Sequence, residues 1–451
     1  MAFLDELRTL VPAGLIDDPD VALSYGRDMC LLADSGRPIA VVKARTTEDV
    51  VATLKLASRY RVPVVPRGAG TGLAGAANAI DGGIVLSLAD MDRILEIDPV
   101  AKTARVEPGV VNSVLNEEVG RHGLFYPPDP GSRSLSTLGG NFATNAGGMC
   151  CVKYGVTGDH VLMLQAVLAD GTVIRTGSSS RKDVAGLDLT QLLVGSEGTL
   201  AVIVEAVVRL RELPEAAATV AATFTTPHDA IDAVLTWGGR AAPSAMEIMD
   251  RTTVAAVEDM AHMGLDLDAG AMMLTVFDGA SAAQDADEWA VVARRCGALE
   301  VFTTHDPDEG EAFMHARRIA YNALEAKGST LLDDVAVEPS VMPELLRSIE
   351  GIASRHGVTI GTFGHAADGN LHPTIVFDAA DHDASRRARD AFEDILEVTL
   401  RLKGTITGEH GVGLLKLAQL SRQVGARERQ LMSGIKQVFD PLNILNPGRG
   451  Y

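Results

Sequence analysis

Three glycine-rich segments within the first 200 residues constrain the fold of this chain more than any other feature of its sequence. They run over residues 65–75 (VPRGAGTGLAG), 127–148 (PPDPGSRSLSTLGGNFATNAGG) and 195–200 (GSEGTL). Glycine lets the backbone approach a ligand closely, and successive bare N–H groups can bind phosphate oxygens. Three such segments in one region predict a domain that encloses a large phosphorylated cofactor.

The first segment contains the pattern G-x-G-x-x-G at Gly70, Gly72 and Gly75. In a nucleotide-binding βαβ unit, a helix must begin at the last of these glycines. Here the following residues, AANAIDGGIVLSL, carry no helical pattern. A nicotinamide-type dinucleotide fold is therefore disfavoured, and the loop is expected to wrap a pyrophosphate directly.

Strand and helix patterns alternate from Pro38 onward. Apolar runs predict strands at 39–44, 62–66, 84–88, 94–98 and 103–108, with an amphipathic helix at 46–61. Residues 164–177 predict a hairpin, because Asp170-Gly171 between two apolar runs is typical of a tight primed turn.

The pattern changes at Pro214. Strands predicted at 219–224, 245–250, 271–277 and 299–304 alternate with helices, which indicates an α+β domain with an antiparallel sheet covered by helices. We expect an N-terminal segment 1–37, a first domain 38–214, a second domain 215–415 and a C-terminal segment 416–451. In the last of these, Asp440-Pro441 ends a helix before an Asn-Pro-Gly-rich strap that returns to the first domain.

Composition excludes several partners. Forty basic and sixty acidic residues give a formal charge of -20, which argues against nucleic acid and requires a local positive pocket for any anionic substrate. The four cysteines form neither a disulfide framework nor a metal-binding spacing. We expect no signal peptide and no transmembrane segment, and hence a cytoplasmic protein or one peripheral to the membrane.

The glycine-rich segments PRGAGTGLAG, PPDPGSRSLSTLGGNFATNAGG and GSEGTLAVIVEA together resemble those of a known flavoprotein family. They are similar to the PCMH-type FAD-binding domain of the vanillyl-alcohol oxidase and p-cresol methylhydroxylase family. More narrowly, the chain resembles the branch that holds D-lactate dehydrogenase, D-2-hydroxyglutarate dehydrogenase and the flavin subunit of glycolate oxidase. The resemblance runs from Pro38 to the C-terminus, and it implies an FAD-binding domain followed by a substrate (cap) domain.

The resemblance also implies the cofactor contacts. The pyrophosphate is expected at Pro66, Arg67, Gly68, Ala69, Gly70, Thr71 and Gly72. The flavin and its ribityl chain are expected at Asp129, Pro130, Ser136, Thr137, Gly140, Thr144 and Asn145. The adenosine end is expected at Gly198 and Ile203, and Asn446 is expected near the ring system. Some relatives join a histidine of the first loop covalently to the flavin, whereas this loop carries Arg67, so non-covalent FAD is predicted.

Two histidines and a glutamate form a candidate metal site. His365 and His372 flank an Asp-Gly-Asn turn that would bring them together, and Glu409 lies in a glycine-flanked stretch. Two imidazoles and a carboxylate suit a divalent, zinc-like ion with open positions, and the resemblance places a metal on these motifs. Because neighbouring residues of an extended segment point in opposite directions, we assign Glu409 to the metal and His410 to the substrate proton.

The substrate carboxylate needs a cation, and Arg317 matches the arginine that relatives use. Arg318 would lie on another helical face, while Tyr321, one turn on, would share the face of Arg317. Asn370 is expected to face the substrate. Leu332 stands where the D-2-hydroxyglutarate branch has a lysine, which favours a monocarboxylate such as D-lactate or glycolate.

The sequence thus predicts FAD-dependent oxidation of a small D-2-hydroxy acid by hydride transfer to flavin N5, with a metal-assisted histidine base. Four alternatives stay open: a D-2-hydroxyglutarate dehydrogenase, a redox-neutral FAD lyase or transferase of the alkyl-dihydroxyacetone-phosphate synthase type, a metal-dependent hydrolase, and a subunit of a larger redox complex. Oxygen, a quinone, a cytochrome and an electron-transfer flavoprotein are all open as electron acceptors, and a homodimer is open as the assembly.

Overall fold

A computed structural model describes residues 2–180 and 182–450 of the chain. The chain divides into two compact units. The first extends to Gly148, resumes from Gly155 to Leu213 and continues from Glu409 onward, and the second contains Met149–Tyr154 and Pro214–Gly408. Whether 1–37, 38–214, 215–415 and 416–451 fold as separate domains stays a prediction.

The described residues contain nineteen strands and seventeen α-helices. The strands are β1 Leu15–Ile16, β2 Ala40–Lys43, β3 Val64–Arg67, β4 Ile84–Ser87, β5 Ile94–Asp98, β6 Thr103–Val106, β7 Leu124–Phe125, β8 Val161–Val167, β9 Val173–Gly177, β10 Val202–Arg209, β11 Arg211–Glu212, β12 Ala217–Phe224, β13 Ala245–Asp250, β14 Ala271–Asp278, β15 Ala298–Thr304, β16 Ser329–Leu332, β17 Val335–Ala336, β18 Thr359–His365 and β19 Asn370–Phe377. The helices are α1 Ala2–Leu10, α2 Pro19–Ser24, α3 Thr47–Tyr60, α4 Asn112–Gly120, α5 Leu138–Thr144, α6 Cys151–Tyr154, α7 Thr157–His160, α8 Leu189–Leu193, α9 Pro227–Trp237, α10 Arg251–Ala261, α11 Ala282–Arg295, α12 Pro307–Arg318, α13 Ala320–Glu325, α14 Met342–His356, α15 His382–Arg401, α16 Leu417–Gln423 and α17 Ala426–Phe439.

The first sheet of unit 1 has the strand order β1-β2-β4-β3. β2 and β3 both pair in parallel with β4, and β1 pairs antiparallel with β2. Helix α3, which connects β2 to β3, begins at a capping box formed by Thr46 and Asp49. The strand–helix–strand pattern predicted for residues 39–66 is confirmed, and it ends at the first glycine-rich segment.

The second sheet of unit 1 is antiparallel, in the order β5-β6-β10-β8-β9. The predicted β8–β9 hairpin is confirmed, but its turn differs from the expected one. Thr172 O accepts from Leu168 N and Gly171 has φ +79°, whereas Asp170 is not among the positive-φ residues. Because Leu168 bonds to Thr172, the loop 169–171 between them is longer than a two-residue primed turn.

The C-terminal segment packs in the core of unit 1. Leu445 is fully buried among Leu54, Ile84 and Leu86, and it forms a parallel bridge with Val64. Backbone hydrogen bonds of 2.7 and 2.8 Å join Val64 to the residues on either side of Leu445. The predicted strap that returns to the first domain is confirmed as part of the fold.

Unit 2 is built on an antiparallel sheet in the order β15-β12-β14-β13-β18-β19-β16, with β17 also paired to β19. Helices α9, α10 and α11 contact its strands. The α+β class predicted from the sequence is confirmed. Within residues 2–180 and 182–450, no helix is long and apolar enough to cross a membrane.

Candidate functional site

Three neighbouring strands of unit 2 place a group of polar side chains on one face of the sheet. In the β13–β18 pair, Glu247 lies opposite His365, and in the β18–β19 pair, Phe363 lies opposite His372. Directly opposed residues of antiparallel strands share a face, as do residues two apart on one strand. Glu247, His365, Phe363 and His372 therefore cluster, although 118 residues separate Glu247 from His365.

The two histidines converge through the same nitrogen atom. His365 Nε2 and His372 Nε2 are 3.4 Å apart, and the two rings meet edge to face with centroids separated by 5.2 Å. Two zinc–nitrogen bonds of about 2.0–2.1 Å at a tetrahedral angle hold their nitrogens about 3.3 Å apart. Both side chains are buried. This spacing fits a pair of ligands to one metal ion, and the strand–turn–strand arrangement predicted for the pair is confirmed.

Glu247 contacts His365 at Nδ1, the ring nitrogen that does not face His372. Its Oε1 is 2.6 Å from His365 Nδ1, and its side chain is only 1% exposed. An ionised carboxylate can only accept, so the Nδ1 proton is donated to it and the Nε2 lone pair is left for a metal. Sequence analysis missed Glu247, whose signal was an acid within the buried strand AMEIMD.

Asp334 anchors the other side of the cluster. Its Oδ1 accepts from Asn370 Nδ2 at 2.8 Å and lies 3.7 Å from His372 Nδ1. Its Oδ2 accepts from the Thr407 hydroxyl at 2.8 Å and from the Gly408 N–H at 2.9 Å. Sequence analysis missed Asp334 as well. The predicted role of Asn370 at the substrate stays a prediction, since its amide nitrogen also donates to Val335 O at 3.0 Å.

Arg317 reaches the same cluster from helix α12. Its Nε lies 2.7 Å from Glu247 Oε2, and its guanidinium carbon lies 4.7 Å from the Phe363 ring centroid. Arg318 instead pairs with Glu311, with Nη2 3.0 Å from Oε2. The predicted separation of the two arginines onto different faces is confirmed.

Tyr321 lies in α13, and not in α12, the helix that carries Arg317. Helix α12 ends at Arg318, and Ile319, with φ −87° and ψ 0°, separates it from α13. Ile319 stays in the αR region and its carbonyl accepts from Ala323 N at 2.8 Å, so the shared face of Arg317 and Tyr321 stays a prediction. Its hydroxyl lies 3.1 Å from Thr330 Oγ1. A role for Tyr321 at the substrate stays a prediction.

Glu409 and His410 belong to unit 1 and follow Gly408 directly in the chain. The two side chains were expected to diverge, but His410 Nε2 lies 3.7 Å from Glu409 Oε1. The segment is a bend and not an extended strand, so the alternation of side chains does not apply. The roles assigned to both residues stay predictions.

The first glycine-rich segment follows β3 in unit 1. Gly70 has φ +77°, and a Cβ built there would lie 1.9 Å from Arg67 Nη2, so the loop curls over the guanidinium. Desolvation lowers the pKa of Arg67, while Asp28 acts against this shift. Residues 68–83, all described by the structure, contain no helix, which confirms that the loop does not open a βαβ unit.

The three glycine-rich segments come together within unit 1. Ala69 of the first and Thr137 of the second line a cavity of 290 Å³, and Gly198 of the third would contact Pro66 through a Cβ at 3.1 Å. Neither Ser136 Oγ nor Thr137 Oγ1, both buried, has a hydrogen-bond partner among the described residues. Thr137 lines the cavity, so its hydroxyl is available to a ligand that enters it.

The other predicted cofactor residues are distributed around this region. Gly148 packs on Asp129, and the Pro130 carbonyl accepts from the Arg133 N–H. Gly140 and Thr144 lie in α5, which Asn145 ends with φ 51°. Ile203 packs in a core cluster of unit 1. Contacts of all these residues with FAD stay predictions.

The C-terminal strap ties the glycine-rich segments together through polar contacts. Asn446 Nδ2 donates to Ala76 O at 3.0 Å and to Glu197 O at 2.8 Å, and Arg449 Nη2 donates to Asn78 O at 2.6 Å. Glu197 accepts from Val412 N at 2.7 Å and from Gly413 N at 2.9 Å. Sequence analysis missed Glu197, and the proximity of Asn446 to a flavin ring stays a prediction.

Burial disfavours the ionised form of two acids in unit 1, Glu197 and Asp28. It raises the pKa of Glu197 to about 7 and that of Asp28 to about 6. The N–H groups of Val412 and Gly413 and the charge of Arg449 act against the shift at Glu197, whereas Asp28 adds to it. Unit 1 therefore contains an acidic pair that titrates close to neutral pH.

The raised pKa of Glu197 predicts how the free energy of unfolding depends on pH. Because its pKa is higher in the folded protein than in the unfolded chain, the stability it contributes is complete below about pH 4.5 and is lost as pH rises through about 7. Replacing Glu197 with Gln removes this loss. As the pH rises from about 5 to about 8, we expect the free energy of unfolding of the variant to increase by up to about 3 kcal/mol relative to that of the unmodified protein. Thermal unfolding of both proteins at the two pH values measures it, and a difference in Tm that does not change with pH would contradict it.

Comparison with known proteins connects both units to flavoenzymes. Residues 38–177 match the family described as FAD binding domain, and residues 213–449 match the family described as FAD linked oxidases, C-terminal domain. The chain is 42% identical over 416 residues to glycolate oxidase subunit GlcD of Bacillus subtilis, which covers 91% of this chain and 88% of that protein. It is 35% identical over 455 residues to a D-lactate dehydrogenase of Archaeoglobus fulgidus, covering 100% and 99% of the two chains.

Solved structures share the fold at low sequence identity. The structure of p-cresol methylhydroxylase with substrate bound has a TM-score of 0.85 and 17% identity, covering 100% of this chain and 96% of that chain. An alkyldihydroxyacetonephosphate synthase has a TM-score of 0.78 and 18% identity, covering 99% and 85%. At these identities the likeness shows the fold alone.

Proposed function

The chain belongs to the FAD-linked oxidase family, and from this membership we propose that it oxidises a small D-2-hydroxy acid to the 2-oxo acid. One observation carries the proposal. The unit that matches the oxidase C-terminal domain holds two imidazole Nε2 atoms 3.4 Å apart, next to a buried guanidinium. Converging imidazoles suit a metal, and a guanidinium suits a carboxylate, so together they suit a hydroxy acid.

The residues that hold the cofactor are assigned to unit 1. FAD binds non-covalently between the glycine-rich segments, where Ser136 and Thr137 offer hydroxyls and Arg67 replaces the histidine of covalent relatives. When bound, FAD supplies an acceptor for the hydride that leaves the α-carbon of the substrate.

The metal ligands are proposed to be His365, His372 and Glu409. The carboxylate behind His365 favours the tautomer that presents Nε2, and a divalent ion of the zinc type would make the substrate hydroxyl easier to deprotonate. Asp334 supports the third ligand because it binds the N–H of Gly408, the residue immediately before Glu409.

The remaining groups bind the acid and move its proton. Arg317 binds the carboxylate through its Nη atoms, since its Nε lies on the side of Glu247, 2.7 Å from Oε2. His410 removes the hydroxyl proton, as a neutral imidazole can near physiological pH. Asn370 and Tyr321 contact the substrate as well.

A monocarboxylate is the proposed substrate class. Leu332 is a buried apolar side chain in β16, at the position aligned with the lysine of the D-2-hydroxyglutarate branch. A second carboxylate would lose a charged partner there, and an unpaired charge is costly in such a setting. D-Lactate and glycolate have a single carboxylate, and the relatives named glycolate oxidase subunit and D-lactate dehydrogenase support this class.

An anaerobic substrate screen tests this proposal. We expect D-lactate or glycolate to bleach the visible absorbance of the bound flavin, because hydride transfer reduces the ring. L-Lactate should leave the flavin oxidised if the proposed D configuration is correct, and D-2-hydroxyglutarate should reduce it at least about tenfold more slowly, as expected for a missing charged contact. A flavin that no 2-hydroxy acid reduces would contradict the proposal, and equal rates with D-2-hydroxyglutarate would contradict the substrate class.

A further inference from the structure

Glu247 connects two groups that have separate roles in the proposed function. Its Oε1 lies 2.6 Å from Nδ1 of His365, and its Oε2 lies 2.7 Å from Nε of Arg317. We infer that Glu247 is a positioning residue that sets the metal-binding tautomer of His365 and the orientation of Arg317 at the same time. This inference rests on the proposed function.

The contact with His365 selects one of two imidazole tautomers. A carboxylate accepts hydrogen bonds and does not donate them when it is ionised, so it retains the proton on Nδ1. Nε2 then carries a lone pair on the side where His372 Nε2 lies, at 3.4 Å. The other tautomer would point an N–H into this space and prevent a shared metal. Glu247 therefore favours the form of His365 that can bind.

The contact with Arg317 fixes the plane of the guanidinium. Its Nε forms an ion pair with Glu247 Oε2 at 2.7 Å, outside hydrogen-bond geometry, and one of its faces is covered by the Phe363 ring at 4.7 Å. The other edge of the guanidinium carries the two Nη atoms of Arg317. The edge they form is the planar fork that binds a carboxylate with two parallel hydrogen bonds.

Burial makes stability a poor explanation for this arrangement. Glu247 is 1% exposed, and Arg317 is also buried. Desolvation of two charges offsets much of their attraction, so apolar residues would often serve the fold as well. The two oxygens of Glu247 instead contact two different groups. The carboxylate therefore couples the position of His365 to that of the Arg317 guanidinium.

The variant Glu247→Gln separates positioning from packing, because it keeps the volume of the side chain. Its single amide oxygen can accept from His365 or from Arg317 but not from both, and its NH₂ group would face the other donor. We expect the zinc Kd to rise about 10–100-fold, as is typical when the partner of a metal-bound histidine is lost. The KM for D-lactate should rise as well.

Zinc affinity of the metal-free flavoprotein is measured by competition with a chromophoric chelator, and cobalt absorbance reports the ligand geometry. Asp250→Asn provides the matched control, since this half-buried acid lies on the same strand but binds the N–H groups of Thr253 and Thr362, each at 2.8 Å. The control should keep the zinc Kd and the cobalt spectrum of the unmodified protein.

The outcomes distinguish this inference from the proposed function. If Glu247→Gln matches the unmodified protein in zinc Kd, cobalt spectrum and KM, the inference is overturned while the proposed function stands. If the unmodified protein itself takes up neither zinc nor cobalt, both are overturned. A second measurement needs no stable Glu247 variant: imidazole ¹⁵N chemical shifts of the metal-free protein, with His365 assigned through His365→Asn. A proton on Nδ1 supports the inference, and a proton on Nε2 overturns it.

Discussion

Replacing His372 with alanine is expected to abolish binding of the proposed divalent metal and to slow flavin reduction by D-lactate about 10³-fold or more. His372 Nε2 is one of two imidazole nitrogens that lie 3.4 Å apart, and losing one of the three proposed ligands would leave too few to hold the ion. The electrostatic help a metal gives to a developing alkoxide is worth several kcal/mol, which corresponds to a loss of this size. Metal analysis and anaerobic stopped-flow absorbance of the flavin measure the two effects.

The matched control is His356→Ala. His356 lies in the same unit at the end of helix α14, and its Nε2 is 2.8 Å from Asp394 Oδ2. This variant should retain the metal content and the flavin reduction rate of the unmodified protein. The metal site would be wrong if His372→Ala kept both properties, or if His356→Ala lost them to the same extent.

The second large effect is expected at the cofactor. Gly70→Ala should produce a protein that purifies with FAD occupancy reduced about tenfold or more, and with activity reduced in proportion. A side chain at φ +77° costs about 1–2 kcal/mol, and its Cβ would lie 1.9 Å from Arg67 Nη2, so the guanidinium proposed to contact the pyrophosphate must move. The ratio of flavin absorbance to protein absorbance measures occupancy.

Gly82→Ala is the control for backbone strain alone. Gly82 has φ +73°, close to that of Gly70, but a Cβ built there meets nothing within 4 Å. Its variant should lose some stability and keep its FAD. Equal loss of FAD from both variants would mean that strain, and not the geometry of the first glycine-rich segment, explains the result at Gly70.

Local patterns predicted most of the architecture. The glycine-rich segments, the strand–helix–strand pattern at 39–66 and the hairpin that carries His365 and His372 follow from turn chemistry and periodicity within short stretches. The family resemblance recognised in these segments is confirmed by the domain matches. The break between α12 and α13 at Ile319 leaves no clear signal in composition.

Residues whose role depends on distant partners were not predictable. Glu247 pairs with a histidine 118 residues away, and Glu197 binds N–H groups 215 and 216 residues away. The partners of these carboxylates can be identified only when strand order and register are known. An acid inside a buried strand, as in AMEIMD, is the one sign that sequence offers, and it identifies a residue that needs a partner without indicating which one.

The most direct test of the central claim, that a histidine-bound metal assists oxidation of a 2-hydroxy acid by FAD, is the rate of anaerobic flavin reduction by D-lactate before and after metal removal. The account predicts that a chelator slows this rate about 10³-fold while FAD stays bound, and that zinc added back restores it. A flavin that D-lactate reduces at the same rate in the metal-free protein would contradict the account.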